Sequence, residues 1–151
     1  MIKIICVGKI KEKFYRDAIE EYLKRLSKYT KIEIIECKDY SLDNIEEEKE
    51  KEKNEIERYI FDKDYVIALD IKGNYLTSEE FADKIDKTLI SNSNIDFIIG
   101  GSNGLHDSIK KRSNYLLSFS KMTFPHQLFR VILLEQIYRG FKIINNESYH
   151  K

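Results

Sequence analysis

The chain holds one proline, six glycines and two cysteines in 151 residues, and each scarcity removes a class of protein. So few chain-breaking residues leave little room for a linker or a second domain boundary, so one domain spanning residues 1–151 is expected. Cys6 and Cys37 are far apart, lack C-x-x-C spacing and sit in apolar, β-branched runs. That pattern argues against a disulfide scaffold and a Cys/His metal centre, and it predicts two buried free thiols and no metal. No apolar run approaches the ~20 residues of a membrane span. Met1-Ile2-Lys3 carries charge too early for a secretion leader, so a cytoplasmic chain without membrane contact is expected. The sequence also lacks G-x-G-x-x-G and G-x-x-x-x-G-K-[ST], which leaves dinucleotide and triphosphate binding unsupported.

What is present is an ordinary globular balance, 42% hydrophobic and 34% charged with zero formal net charge. The charge is unevenly spread. Asp43 to Arg58 holds eight acids against four bases, whereas Gly100 to Lys151 holds eight bases against three acids and all three histidines. Such a split allows contact with an anionic partner on one part of the surface, and equally a solvated mixture of charges.

Apolar periodicity predicts alternating strands and helices. Ile2–Val7, Lys31–Cys37, Tyr65–Ile71, Ile95–Ile99 and Tyr115–Phe119 read as strands, the third closed by a turn at Lys72-Gly73-Asn74. Helices are predicted from Phe14 to Tyr29, from Asp43 to Phe61 as an exposed charged helix, after the capping box Thr77-Ser78-Glu79-Glu80, over Ser108–Ser113 with Asp107 as cap, and from His126 to Phe141. Strands apolar on both faces and alternating with helices indicate an α/β fold with a mainly parallel sheet flanked by helices. The last helix is apolar on nearly every side, which suggests a subunit interface and requires partners for Arg130 and Arg139, either Glu135 or a bound anion.

Open α/β sheets bind ligands beyond the carboxyl ends of their strands, and three such loops stand out. One follows Ala68-Leu69-Asp70, the second is Gly100-Gly101-Ser102-Asn103-Gly104, and the third is Phe119-Ser120-Lys121-Met122-Thr123-Phe124-Pro125. Glycines without Cβ atoms let a flat ligand approach the main chain, or merely make a tight turn. The third loop, with two hydroxyls among Met122 and Phe124, can wall an adenine or thioether ligand, or simply pack into the core. The tail Asn145 to Lys151 is either a frayed end or a Tyr149-His150 pair able to stack on a base and handle a proton.

With those loops in view, the sequence resembles the RlmH family, bacterial 23S ribosomal RNA pseudouridine methyltransferases of the SPOUT superfamily. The likeness runs over nearly the whole chain. It is carried by Ile2-Lys3-Ile4-Ile5-Cys6-Val7-Gly8-Lys9, Leu69-Asp70-Ile71-Lys72-Gly73 and Phe97-Ile98-Ile99-Gly100-Gly101-Ser102-Asn103-Gly104-Leu105. Its most specific blocks are Leu117-Ser118-Phe119-Ser120-Lys121-Met122-Thr123-Phe124-Pro125-His126, Glu135-Gln136-Ile137-Tyr138-Arg139 and Tyr149-His150-Lys151. Departures are small, at Ser102-Asn103 and at Gly140, where alanine is common in the family.

The resemblance implies a C-terminal trefoil knot, an exception to the usual absence of knots, and a homodimer packed through the last helix. It implies S-adenosylmethionine held by Leu69, Gly100 with the adjoining Gly101, and Phe119, Ser120, Lys121, Met122, Thr123 and Phe124. It implies methylation of N3 of a pseudouridine in 23S ribosomal RNA, on assembled ribosomes. Taking the N3 proton calls for a general base, and His150 aided by Tyr149 is the expected one, with Arg130 steadying negative charge on a uracil oxygen. With no appended RNA-binding domain, phosphate contacts are expected from Lys9, Lys11, Lys13, Lys110, Lys111, Arg112, Arg139 and Lys151. The rival reading is a non-catalytic ribosome- or RNA-binding protein that keeps the fold.

Overall fold

The computed structural model describes residues 1–151. Along the chain it runs β1 (Ile2–Val7), α1 (Lys13–Leu26), β2 (Ile32–Cys37), α2 (Ile45–Glu57), β3 (Tyr65–Tyr75), α3 (Ser78–Ser91), β4 (Ile95–Ile99), α4 (Asp107–Arg112), β5 (Tyr115–Ser118) and α5 (His126–Ile144). The strands form one sheet in the order β2-β1-β4-β3-β5, and every pairing is parallel. That is the expected α/β class.

Side chains alternate across the sheet, so both faces must be covered. Ile2, Ile4 and Cys6 join Ile67, Phe97 and Ile99 in a core of 17 buried residues completed by α1, α3 and α5. Ile5 and Val7 join Val66, Ala68 and Ile98 in a smaller core of 9, completed by Ile56 of α2 and Ile109 of α4. Cys6 and Cys37 are free and buried, and burial pushes their thiols up to about 12 and about 11.

Four expectations need adjustment. The turn at Lys72-Gly73-Asn74 is instead continuous strand: Leu69 and Asn74 both align with Leu117, so the residues between them bulge out. Gly73 is needed there for close approach, since a Cβ would lie 2.8 Å from the main chain of Leu116 and Leu117. The cap of α4 is His106, whose side chain accepts from the Ser108 amide, and Asp107 is already inside the helix. Helix α2 is not merely exposed, because Glu48 and Glu52 are buried. Finally, α1 and α3 in this same chain take up much of the apolar surface of α5, burying Leu133, Leu134, Ile137 and Phe141.

The capping box is present as read, with Thr77 and Glu80 each bonding the other's backbone amide. No helix is long and apolar enough to cross a membrane.

On the α2 side, Lys3 makes a buried ion pair with Asp64 at 2.8 Å and lies 3.5 Å from Asp96. Asp96 is 0% exposed and neither carboxyl oxygen has a hydrogen-bond partner. Burial first, and the neighbouring Asp64, push Asp96 up to about 8 against the pull of Lys3. Burial alone would raise Asp64 too, but the neighbouring Asp96 carboxyl first, then hydrogen bonds from Lys3, the Phe61 amide and Asn94, hold it well below the usual carboxylate range. An acid whose folded pKa exceeds its unfolded value binds protons on folding. Its contribution to stability therefore declines as pH climbs from about 4 to 8. Asp96→Asn keeps the shape of the neutral acid without a charge to bury. The variant's thermal midpoint should thus gain on the wild type between pH 5 and about pH 8 and level off above it, and a gap independent of pH would place the titration elsewhere.

Candidate functional site

The three loops chosen from the sequence converge. At the carboxyl ends of β4 and β5 and the mid-strand bulge of β3 they enclose a cavity of about 300 Å³, near the lower end of the range for ligand pockets. Leu69, Asp70 and Ile71 line one side, Gly100, Gly101, Ser102 and Gly104 another, and Ser118, Phe119, Ser120, Met122, Thr123 and Phe124 a third. Of the nine residues expected to hold a ligand, eight line it, while Lys121 is exposed and does not. Leu105, Leu117 and Phe129 supply further apolar wall that the loops alone did not point to, and Lys110 pairs with Asp70 at 3.4 Å beside it.

The glycine loop is shaped for close approach. Gly104 donates its amide to Gly101 O at 3.0 Å and has φ +80°, a conformation that disfavours any side chain. A Cβ on Gly100 would lie 2.9 Å from Leu105 and 3.0 Å from the Gly104 main chain. Across the cavity, Ser118 donates to Ser120 O at 3.1 Å, and Ser120 in turn accepts from the Met122 amide at 3.0 Å. Met122 stays 75% exposed at the rim. Flat apolar walls, bare backbone at Gly100 and Gly101 and two small hydroxyls suit an adenosine-bearing ligand.

Behind the glycine loop stands a support invisible in the sequence. Glu48 accepts from Asn103 Nδ2 and from the Leu42 amide at 3.2 Å. Glu52, 4% exposed, accepts weakly from the Tyr40 amide at 3.5 Å and would lie 3.1 Å from a Cβ on Gly101. Burial, with Glu48 and Asp39 adding repulsion, pushes Glu52 up to about 7. The only hint was spacing, since Glu48, Glu52 and Ile56 share one helical face; a pair of acids gives no reason to expect burial.

The residues read as catalytic lie elsewhere in the protomer. Arg130 is 1% exposed: Nη1 donates to Glu36 at 2.7 Å, and Nη2 donates to the carbonyls of Gly8 at 2.7 Å and Val7 at 3.2 Å. Its partner is thus Glu36 rather than Glu135, and Nε has no partner. Arg139 pairs with Glu135 at 3.0 Å and donates to His150 Nδ1 at 3.0 Å. Because arginine can only donate, Nδ1 is the acceptor and Nε2 carries the hydrogen that faces Glu79 at 2.6 Å. Tyr149 donates to Glu135 at 3.1 Å and packs edge-on against Tyr138. Burial, reinforced by Glu135, raises its phenol above the ordinary value. The tail is therefore docked on α5 rather than frayed.

That docking point is far from the cavity of the same chain. Arg139 lies ten residues along α5 from Phe129, the nearer of the two residues of that helix that line the cavity, and at 1.5 Å per residue the separation is about 15 Å. One protomer does not bring His150 and Tyr149 to the loops that line its own cavity. Lys9 borders a neighbouring hollow, and Lys151 is exposed at the end of the chain.

Residues 1–150 match the family described as "Predicted SPOUT methyltransferase". The chain belongs to the SPOUT methyltransferase family. Within it, the chain is 54% identical over 154 residues to the ribosomal RNA large subunit methyltransferase H of Caldicellulosiruptor saccharolyticus, with both chains fully covered. It is 59% identical over 157 residues to the proteins of that name from Clostridium botulinum (strain Okra / Type B1) and Clostridium beijerinckii, with 99% of each chain covered. A solved structure, a probable methylase family protein from Haemophilus influenzae Rd KW20, superimposes with a TM-score of 0.58 at 12% identity, covering 99% of this chain and 70% of the other. At that identity the likeness supports the SPOUT fold alone. It agrees with the five-stranded parallel sheet described above.

Proposed function

We propose that this protein transfers a methyl group from S-adenosylmethionine to N3 of a pseudouridine in 23S ribosomal RNA, as a cytoplasmic homodimer acting on assembled ribosomes. The observation that carries the reading is the convergence of the glycine loop, the β3 bulge at Leu69–Ile71 and the Phe119–Phe124 loop on one cavity, in a chain whose full-length relatives are named for large-subunit ribosomal RNA methylation. The trefoil knot belongs to this reading, since the segments it needs, Leu69–Tyr75, Ile99–Leu105 and Leu117–Phe124, meet there.

In this mechanism Leu69, Leu105 and Leu117 flank the adenosine, Gly100 and Gly101 offer bare main chain to it, and Ser120, Met122, Thr123 and Phe124 close the rim. When bound, S-adenosylmethionine supplies a sulfonium methyl that needs alignment with the target nitrogen more than activation. The N3–H of pseudouridine must lose its proton as the bond forms. His150, delivered by a second protomer, receives it on Nδ1 as the hydrogen bond from Arg139 gives way, while Glu79 holds Nε2–H and Tyr149 braces Glu135. Arg130 acts as a positioning residue, bracing the turn at Val7-Gly8 and directing positive charge toward the substrate side. Lys9 and Lys151 contact RNA phosphates, while Arg139, paired with Glu135 and His150, positions the tail instead.

The dimer is supported by a stripe on α5. Leu128, Ile132, Gln136, Arg139 and Ile143 recur at helical spacing opposite the buried face and remain half-buried. A second copy laid on that stripe would bring its tail, docked at Arg139, close to this chain.

The test is mass spectrometry of ribosomal RNA from cells with and without the gene. A methylated pseudouridine should vanish on deletion and return with the wild-type gene. An unchanged modification pattern, together with no calorimetric binding of S-adenosylmethionine, would leave the chain as a non-catalytic member of the fold. The cavity gives a second check. Gly100→Ala places a methyl against the Gly104 main chain, an overpacking penalty of about 1–3 kcal/mol. Donor affinity should fall about tenfold to a hundredfold, with the far-ultraviolet dichroism unchanged.

A further inference from the structure

A second hollow, of about 830 Å³, adjoins the donor cavity at the carboxyl ends of β1 and β2. Gly101, Ser102 and His126 line both spaces and form their common wall. The strand order β2-β1-β4-β3-β5 puts the division at the β1/β4 boundary. There the chain's connections depart toward opposite edges, the position at which open parallel sheets take ligands.

The two spaces differ in chemistry. Nine of the 19 residues around the donor cavity are hydrophobic, against 2 of 13 around the second hollow, so a flat apolar group fits the first better than the second. Lys9, Lys11 and Lys38 border the second hollow and enter no ion pair. Two acids also line it: Glu36 is engaged by Arg130 at 2.7 Å and by the Ile10 amide at 2.9 Å, and Asp39 enters no ion pair, so four cations face two acids. Arg130 also lines the hollow, and its buried Nε–H lacks an acceptor. Other cations that looked available in the sequence are committed: Lys110 to Asp70, Arg112 to the carbonyls of Phe61, Asp62 and Asp64, and Arg139 to Glu135. An excess of cations over acids, three of the cations unpaired, favours an anionic occupant.

We propose that this hollow receives the target nucleotide, its phosphate against Lys9, Lys11 and Lys38 and its base brought to the shared wall at Ser102 and His126. The assignment rests on the reading that the chain methylates RNA, and it adds two residues, Lys38 and His126, to those read from sequence. A base that reacts at a ring nitrogen must leave its stack and enter a pocket beside the donor. The shared wall provides that adjacency without requiring the two ligands to compete for one space.

The experiment titrates pseudouridine 5′-monophosphate into isotope-labelled full-length protein, with and without S-adenosylmethionine, and follows backbone amides. Shifts are expected at Gly8, Lys9, Lys38 and Ser102, and they should be lost in the Lys9→Ala/Lys38→Ala variant and weakened about tenfold for pseudouridine lacking phosphate. On assembled ribosomes the same variant should raise KM about tenfold and reduce the slope of affinity against salt by about 2, with affinity for S-adenosylmethionine unchanged. Silent amides at those positions, shifts confined to the donor loops, or an unaltered KM and salt slope would overturn the assignment. If the monophosphate seats in the hollow while wild-type protein leaves ribosomal RNA unmethylated, the function falls and the subsite stands.

Discussion

Arg130→Ala is expected to lower stability by about 3 kcal/mol. The guanidinium is nearly inaccessible and satisfies three acceptors at once, the Glu36 carboxylate and the carbonyls of Val7 and Gly8. Truncation leaves these carbonyls short of donors, at about 1–3 kcal/mol for a buried polar group, and frees a carboxylate that is partly solvated. The solvated side of Glu36 is why the total stays at the low end of the 3–5 kcal/mol seen when buried pairs are broken. For a chain of this length the thermal midpoint should drop by about 6–12 °C. Arg130→Lys should recover little, because one ammonium cannot reproduce a planar fork that meets both a carboxylate and two carbonyls. Glu36→Gln, which keeps an acceptor, should cost about 1 kcal/mol. Equal stability of the alanine variant and the wild type would mean that the buried arginine is held against its own desolvation and contributes nothing net.

The second large effect concerns rate. In the proposed mechanism His150→Ala should reduce methylation by about 10²–10⁴-fold, the usual span for loss of a general base. Donor affinity should hold, because His150 does not line the cavity of its own chain. Tyr149→Phe removes only the hydroxyl that donates to Glu135, so its effect should be smaller and should shift the position of His150 rather than replace it. A sharper test mixes His150→Ala protomers with Gly100→Ala protomers. If each site is built from two chains, mixed dimers hold one intact site and regain activity that neither parent has. Failure of the mixture to recover, or wild-type rates for both tail variants, would send the proton by another route.

Much of this architecture was legible because apolar periodicity responds to burial. Ile2–Val7 and Ile95–Ile99 are apolar on both faces, and a strand covered by helices on both sides has no reason to alternate. Thr77-Ser78-Glu79-Glu80 announced a helix start through local hydrogen bonding alone, and the structure has that capping box. The donor loops were found by the same logic, since strand ends followed by glycines or hydroxyls are where backbone can meet a ligand. Local signals failed where a distant segment decided the outcome. Lys72-Gly73-Asn74 has turn composition, yet β5 passes close enough to draw it into strand. Asp107 looked like the cap of α4, but His106 reaches the free amide first.

The amino-acid order by itself determined the parallel α/β layering, the five strands, the three strand-end loops and the blocks that mark the family, because these depend on residue type and short-range spacing. Only the tertiary structure decided that Glu48 and Glu52 lie buried behind the glycine loop, that Arg130 answers to Glu36, and that the tail docks at Glu79 and Arg139, away from its own cavity. Each of those is a contact between charged or polar groups far apart in the chain. Charge carries no periodic signature of burial, so the partner of a buried ion is known only once the sheet has brought the two segments together.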